Sequence, residues 1–137
     1  MAIILVILAI VFLAGLALHA YKRLGQMREQ RIRENEYNTA VILWDFARII
    51  KSHLDDTVRA GTGVLDFSKI LVPHSQGYRV TLELAGYNFK IYGVPSMYNK
   101  SGRLSFFIDK SMTLRASDRN GEEATGEDAE YTGDSVP

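Results

Sequence analysis

The chain has 137 residues, room for one domain of ordinary size, and its 16 basic and 16 acidic residues cancel. It contains no cysteine, which excludes disulfides, thiolate metal sites and cysteine nucleophiles. No segment is basic enough, or interleaves aromatic with basic residues closely enough, to argue for nucleic acid.

The zero net charge hides unlike regions. The first, residues 1–20, is the apolar run Ala2–Ala20, AIILVILAIVFLAGLALHA, with no Asp, Glu, Lys or Arg. About 20 apolar residues suffice to cross the hydrocarbon core of a bilayer as a helix. The run is apolar all round, so it needs lipid or other apolar helices on every side. It lacks the basic start and the small-residue cleavage site of a secretory signal peptide, and it reads as a transmembrane helix. Leu5, Leu8, Val11, Phe12 and Leu16 are the expected packing residues against lipid or neighbouring helices. Lys22, Arg23, Arg28, Arg31 and Arg33 follow closely, and by the positive-inside rule they would keep the rest of the chain in the cytoplasm.

Residues 21–60 predict a helical stalk that becomes amphipathic. Between Tyr21 and Arg59 there is no proline and one glycine, Gly25. Leu43, Phe46, Ala47, Ile50, Leu54 and Val58 recur at spacings of three and four and share one face, while Asp45, Arg48, Lys51, Asp55 and Arg59 fall opposite. The helix is expected to stop at Gly61-Thr62-Gly63, where glycine can take the left-handed cap. Val41 and Trp44 lie off the apolar stripe, near Arg48. Two readings fit them: an indole lying under the stems of long side chains, or a partner contact, since Trp is favoured at interface hot spots.

Residues 61–117 predict an antiparallel sheet region. Asp66 is placed to cap a short helical turn running to Leu71 and stopped by Pro73. Tyr78–Leu84 and Asn88–Tyr92 alternate apolar and polar residues; Leu104–Ile108 and Thr113–Arg115 are shorter strand candidates. The short links favour a meander. Tyr78, Val80, Leu82, Leu84, Phe89, Ile91, Leu104, Phe106 and Ile108 would form its inward face. A sheet with one apolar face must cover it, and the amphipathic part of the helix is the matching surface. The predicted class is therefore α+β: a long N-terminal helix, transmembrane in its first part, packed on a small antiparallel meander.

Residues 118–137 hold Asp118, Glu122, Glu123, Glu127, Asp128, Glu130 and Asp134 against one base, Arg119, and read as an acidic, flexible tail. Asp118, Asn120 and Asp128 are oxygen donors a calcium loop could use, but Gly121 stands where an EF-hand would place a ligand, so no metal is expected. His19, His53 and His74 are isolated, with no phosphate loop, zinc-binding helix or serine elbow beside them. Neither a catalytic residue nor a cofactor is expected.

The segments Gly93-Val94-Pro95, Ser101-Gly102-Arg103-Leu104-Ser105-Phe106-Phe107-Ile108-Asp109 and Leu114-Arg115-Ala116-Ser117-Asp118-Arg119-Asn120-Gly121-Glu122-Glu123-Ala124 resemble the closing sheet of the type IV pilin and type II secretion pseudopilin family. The order of helix and sheet resembles it as well. The resemblance implies a pilin-like fold and a subunit held in the bacterial inner membrane by a single helix. Such a subunit is drawn into a periplasmic or surface filament by packing against other pilin-like subunits and secretion or pilus assembly proteins. Family members carry a Glu at the fifth mature position that pairs with a neighbour's terminal amine. Counted from Met1, that position is Leu5, which cannot form the pair, so the resemblance implies a minor subunit. The alternative is a single-pass membrane accessory subunit whose domain stays in the cytoplasm and never enters a filament.

Overall fold

The computed structural model describes residues 2–61 and 70–133; within the helix, the side chains of residues 2, 3, 5, 6, 9 and 60 are also outside the description. One helix, α1, spans Ala2–Ala60, and four strands follow: β1 (Tyr78–Ala85), β2 (Asn88–Pro95), β3 (Leu104–Asp109) and β4 (Arg115–Asp118). The chain divides into two compact units, Met1–Arg31 and Ile32–Pro137.

In the first unit, the apolar side chains described from Ile4 to Leu18 are all exposed. Among the described residues, no helix is long and apolar enough to cross a membrane. Five positions of the apolar run Ala2–Ala20, namely Ala2, Ile3, Leu5, Val6 and Ala9, lie outside that comparison. The packing expectation for Leu5 therefore falls outside the described residues, whereas Leu8, Val11, Phe12 and Leu16 are exposed at 60%, 63%, 67% and 52%.

The second unit is an α+β layer. Its strands pair in the order β1-β2-β3-β4, all antiparallel, a meander joined by short links. Period-two alternation sends Tyr78, Phe89, Ile91, Phe106 and Ile108 into one core with Ala40, Leu43, Phe46, Ala47, Ile50 and Leu54 of the helix. Val80, Leu82, Leu84 and Leu104 pack on its margin, so every residue expected on the inward face is there. Gly93 makes the close approach possible: a Cβ on it would sit 2.8 Å from Leu43 Cδ1. The helix ends at Ala60, and Gly61 takes a φ of +64°, the left-handed conformation expected of its cap.

The structure departs from the sequence reading in three places. Val58, placed on the apolar stripe, is 58% exposed, because the buried face ends one turn earlier at Leu54. The fourth strand is Arg115–Asp118, displaced from Thr113–Arg115; Leu114 instead points into the core and Arg115 begins the pairing, opposite Phe107. The helical turn expected from Asp66 lies mostly outside the described residues; its last residue, Leu71, is exposed and belongs to no helix or strand.

The third departure is the acidic segment. Its described part, through Gly133, packs on the sheet instead of forming a solvated tail. Ala116 N–H donates to Ala129 O at 3.0 Å and Tyr131 N–H to Leu114 O at 2.8 Å, so the chain returns along β4. Ala124 is buried with Tyr92 and Phe107 in a second small cluster on the other face of the sheet. Tyr131 packs on Phe106 edge to face, with ring centroids 5.3 Å apart. Composition pointed to solvent, but Ala124 and Tyr131 give the segment apolar anchors among its acids.

Candidate interaction surface and its polar latch

Two arrangements stand out in the second unit: a polar latch between helix and loops, and an open groove beside it.

The latch lies on the buried helix face. Upstream of Leu43 that face carries Ile32, Asn35, Glu36, Thr39 and Ala40, all buried. Asn35 donates through Nδ2 to the Ser101 carbonyl at 2.8 Å. Glu36 Oε1 accepts the backbone N–H groups of Arg103 and Leu104 at 2.7 and 3.1 Å. Thr39 Oγ1 donates to the Asn35 carbonyl at 2.7 Å, which uses its one proton; at the 2.7 Å contact with Ser75 Oγ it must therefore be the acceptor. Gly77, at a φ of +76°, lets the chain pass where a Cβ would lie 2.8 Å from Asn35 Nδ2. Tyr78 closes the group, its hydroxyl donating to the Leu104 carbonyl at 2.8 Å. Burial, reinforced by the Glu36 carboxylate, pushes the Tyr78 phenol far above its ordinary value. Burial and the same carboxylate push Tyr131 up as well.

These polar residues tie the helix to the approach to β3. They escaped the sequence reading because a polar residue counts against an apolar stripe. A signal was present: Ile32, Glu36, Thr39, Leu43, Phe46 and Ile50 keep the three-and-four spacing, so Glu36 and Thr39 stand on the inward face.

The groove, of about 310 Å³, runs along the helix next to the returning C-terminal segment. Ala40, Leu114 and Tyr131 line it with Tyr37, Val41, Trp44 and Met112, and the carboxylate-bearing Asp45 and Glu130 border it. Val41 and Trp44, the expected partner contacts, are 44% and 43% exposed. The Arg48 guanidinium lies 5.7 Å from the centre of the Trp44 ring, and also pairs with Asp45 at 3.2 Å. The first sequence reading of Trp44 thus describes part of the geometry, since the indole lies against a long basic side chain, and the ring also lines an open groove.

The calcium candidates are engaged otherwise. Asp118 accepts the Tyr98 hydroxyl at 3.0 Å and the Asn120 N–H at 3.1 Å. Asn120 occupies the left-handed turn that precedes Gly121. Asp128 takes the Arg119 guanidinium at 2.6 Å and the Thr125 N–H at 2.7 Å. Burial acts to raise the Asp128 carboxyl, but Arg119 and Thr125 outweigh it and hold the group below its ordinary value. Arg119 thus engages Asp128, one of the three candidate ligands, while Asp118 is engaged by Tyr98 and the Asn120 N–H. Among the described residues, no group of three or more His, Cys, Asp or Glu side chains is arranged to hold a metal ion.

No protein-family model matches the chain, and neither the curated proteins nor the solved structures give a match.

Proposed function

We propose that the chain is a structural or assembly subunit of a type IV pilus or type II secretion pseudopilus, a minor one. On this reading its N-terminal run spans the bacterial inner membrane once and is later extracted into a periplasmic or surface filament. Its partners are the lipid bilayer and other pilin-like subunits or assembly proteins, and it performs no catalysis.

The observation that carries this reading is the exposed apolar run. Ile4, Ile7, Leu8, Ile10, Val11, Phe12, Leu13, Leu16 and Leu18 are between 52% and 67% exposed and lie on all sides of the helix. Fully burying one such side chain stabilises by about 1.5–3 kcal/mol. Leaving nine half-buried costs on the order of 10 kcal/mol, as much as the net stability of an ordinary domain. A chain that keeps such a run needs an apolar surrounding for it, and lipid and neighbouring apolar helices are the two that fit all sides. The order of a long helix, a four-stranded meander and a docked C-terminal segment also supports the family resemblance.

A second reading has its own observation. Exposed Lys22, Arg23, Arg28 and Arg31 directly follow the run, and the positive-inside rule would then hold the second unit in the cytoplasm. That protein would be a single-pass accessory subunit that enters no filament.

The absence of cysteine makes a clean test possible. A Lys110→Cys variant of the full chain, expressed in its native host, is treated with a membrane-impermeant maleimide. Labelling from outside the inner membrane, with the chain also recovered in sheared filaments, is the result expected. Labelling only after lysis of a membrane fraction would establish the accessory reading. Recovery of unlabelled full-length chain in the detergent-free soluble fraction would remove both.

A further inference from the structure

The geometry points to a binding site for anionic phospholipid headgroups, built as a collar around the helix by Lys22, Arg23 and Arg31 and completed by Arg28. The inference rests on the membrane-spanning reading above and names the lipid that the adjoining segment would select.

The charge placement carries it. A helix turns about 100° per residue. Taking Lys22 as the origin, Arg23 stands about 100° away, Arg31 about 180° and Arg28 about 240°. All four are exposed. Arg28 and the nearby Glu29 already interact with other groups, so the inference is carried by Lys22, Arg23 and Arg31. A protein groove or a nucleic-acid strand reads one face of a helix, and would be met by basic residues on one face. Basic residues spread around the axis suit a partner that surrounds the helix, and a membrane surface crossed by the helix is such a partner.

The axial placement agrees. At 1.5 Å per residue, Lys22 and Arg23 lie about 3–5 Å past Ala20, within the headgroup layer of about 5–7 Å. Arg28 and Arg31 lie about 12 and 17 Å past it, within one Debye length of the surface once their long stems are counted. Tyr21, 75% exposed at the start of the collar, is the amphipathic ring expected at that depth. Each basic residue near an anionic leaflet is worth roughly a fivefold gain in affinity, so three together give on the order of a hundredfold preference over a zwitterionic surface.

The test uses the full chain in a neutral detergent. Equal amounts of phosphatidylcholine and phosphatidylglycerol are added, and the lipids retained are counted by native mass spectrometry. Strong preferential retention of phosphatidylglycerol is expected. Lys22→Gln/Arg23→Gln/Arg31→Gln should abolish the preference, while Arg79→Gln/Lys100→Gln/Lys110→Gln, which removes as many exposed charges elsewhere, should leave it. Equal retention of the two lipids by the unaltered chain overturns the inference. So does displacement of phosphatidylglycerol by a large excess of inorganic phosphate, which would make the collar a free-anion site. Flotation with vesicles of phosphatidylcholine alone separates the two layers of argument. A chain that floats but shows no lipid preference loses the collar and keeps the membrane; a chain that does not float loses both.

Discussion

Two stretches of one helix, residues 4–18 and residues 32–54, are both rich in aliphatic and aromatic side chains, yet they meet opposite fates. In the second, Ile32, Leu43, Phe46, Ala47, Ile50 and Leu54 are buried, while Asp45, Arg48 and Lys51 face water. In the first, the described apolar side chains are exposed on every side. The difference lies in pattern rather than in hydrophobicity. A stripe can be covered by one sheet, and the chain supplies that sheet. An apolar cylinder needs a surrounding solvent or a ring of neighbours. The contrast separates what the chain can satisfy alone from what it must find outside itself.

The largest effect that tests the contrast is a matched pair of substitutions. Phe106 is fully buried against the helix, and Phe12 is 67% exposed. Phe106→Ala should cost about 3–5 kcal/mol of folding stability, and Leu54→Ala, 5% exposed on the facing helix, about 2–5 kcal/mol. Phe12→Ala should leave the melting of the second unit unchanged while weakening retention in the membrane. Thermal melts of the full chain in neutral detergent, beside membrane fractionation, read both. Equal loss of melting temperature in Phe12→Ala and Phe106→Ala would show that the two stretches are not different in kind.

The latch offers a second, smaller effect. Glu36→Ala would strand the Arg103 and Leu104 N–H groups in the interior and should cost about 2–4 kcal/mol. Glu36→Gln keeps an acceptor at the same place and should cost less than half as much. If the two variants melt alike, the carboxylate is not what holds the helix to β3.

How much of this was legible follows from which signals are local. Leu43, Phe46, Ile50 and Leu54 announce a face by spacing alone, and Tyr78 to Leu84 announce a strand by alternation. Both rest on side-chain periods that any segment displays by itself. The latch is different: spacing places Glu36 on the inward face, but its donors lie 67 and 68 residues away, so what it binds there is not a local signal. The acidic segment misled for a related reason. Its average composition says solvent, but docking is decided by single anchors, Ala124 and Tyr131, that an average erases. At the groove, Val41 and Trp44 were legible as off-stripe residues. Their wall, Leu114 and Tyr131, was not, because it requires the tertiary return of the C-terminal segment.

That return supplies a pH prediction of moderate size. Asp128 is held below its ordinary value, so the stability it contributes is present above the unfolded carboxylate value near 4 and is lost as pH falls through the lower folded value. Melting temperature should therefore fall as pH drops below about 4. Asp128→Asn should lower it by a few degrees at neutral pH and flatten part of that acid slope. An unchanged slope in the variant would mean that the segment is anchored by Ala124 and Tyr131 alone.

The smallest expected change in stability, and the one that bears most on function, is at Trp44. The indole is 43% exposed and lies on a groove rather than in the core. Its own unit gains only part of the ring's burial, together with an exposed contact to Arg48 worth about 0.5–1 kcal/mol. Trp44→Ala should therefore lower the melting temperature of the full chain only slightly, far less than Phe106→Ala. If the groove receives a neighbouring subunit, the same indole is desolvated on association, and its loss should weaken assembly by about 2 kcal/mol, roughly thirtyfold in affinity. One variant then needs two readings: a melt in detergent, and cross-linking in cells through a cysteine placed at Val41 in an otherwise cysteine-free chain. A small change in melting with a large loss of cross-links makes the groove a contact that the chain leaves open for a partner, as it leaves residues 4–18. A large drop in melting with normal cross-links would move Trp44 to the other side of the comparison, among the residues that the second unit satisfies for itself.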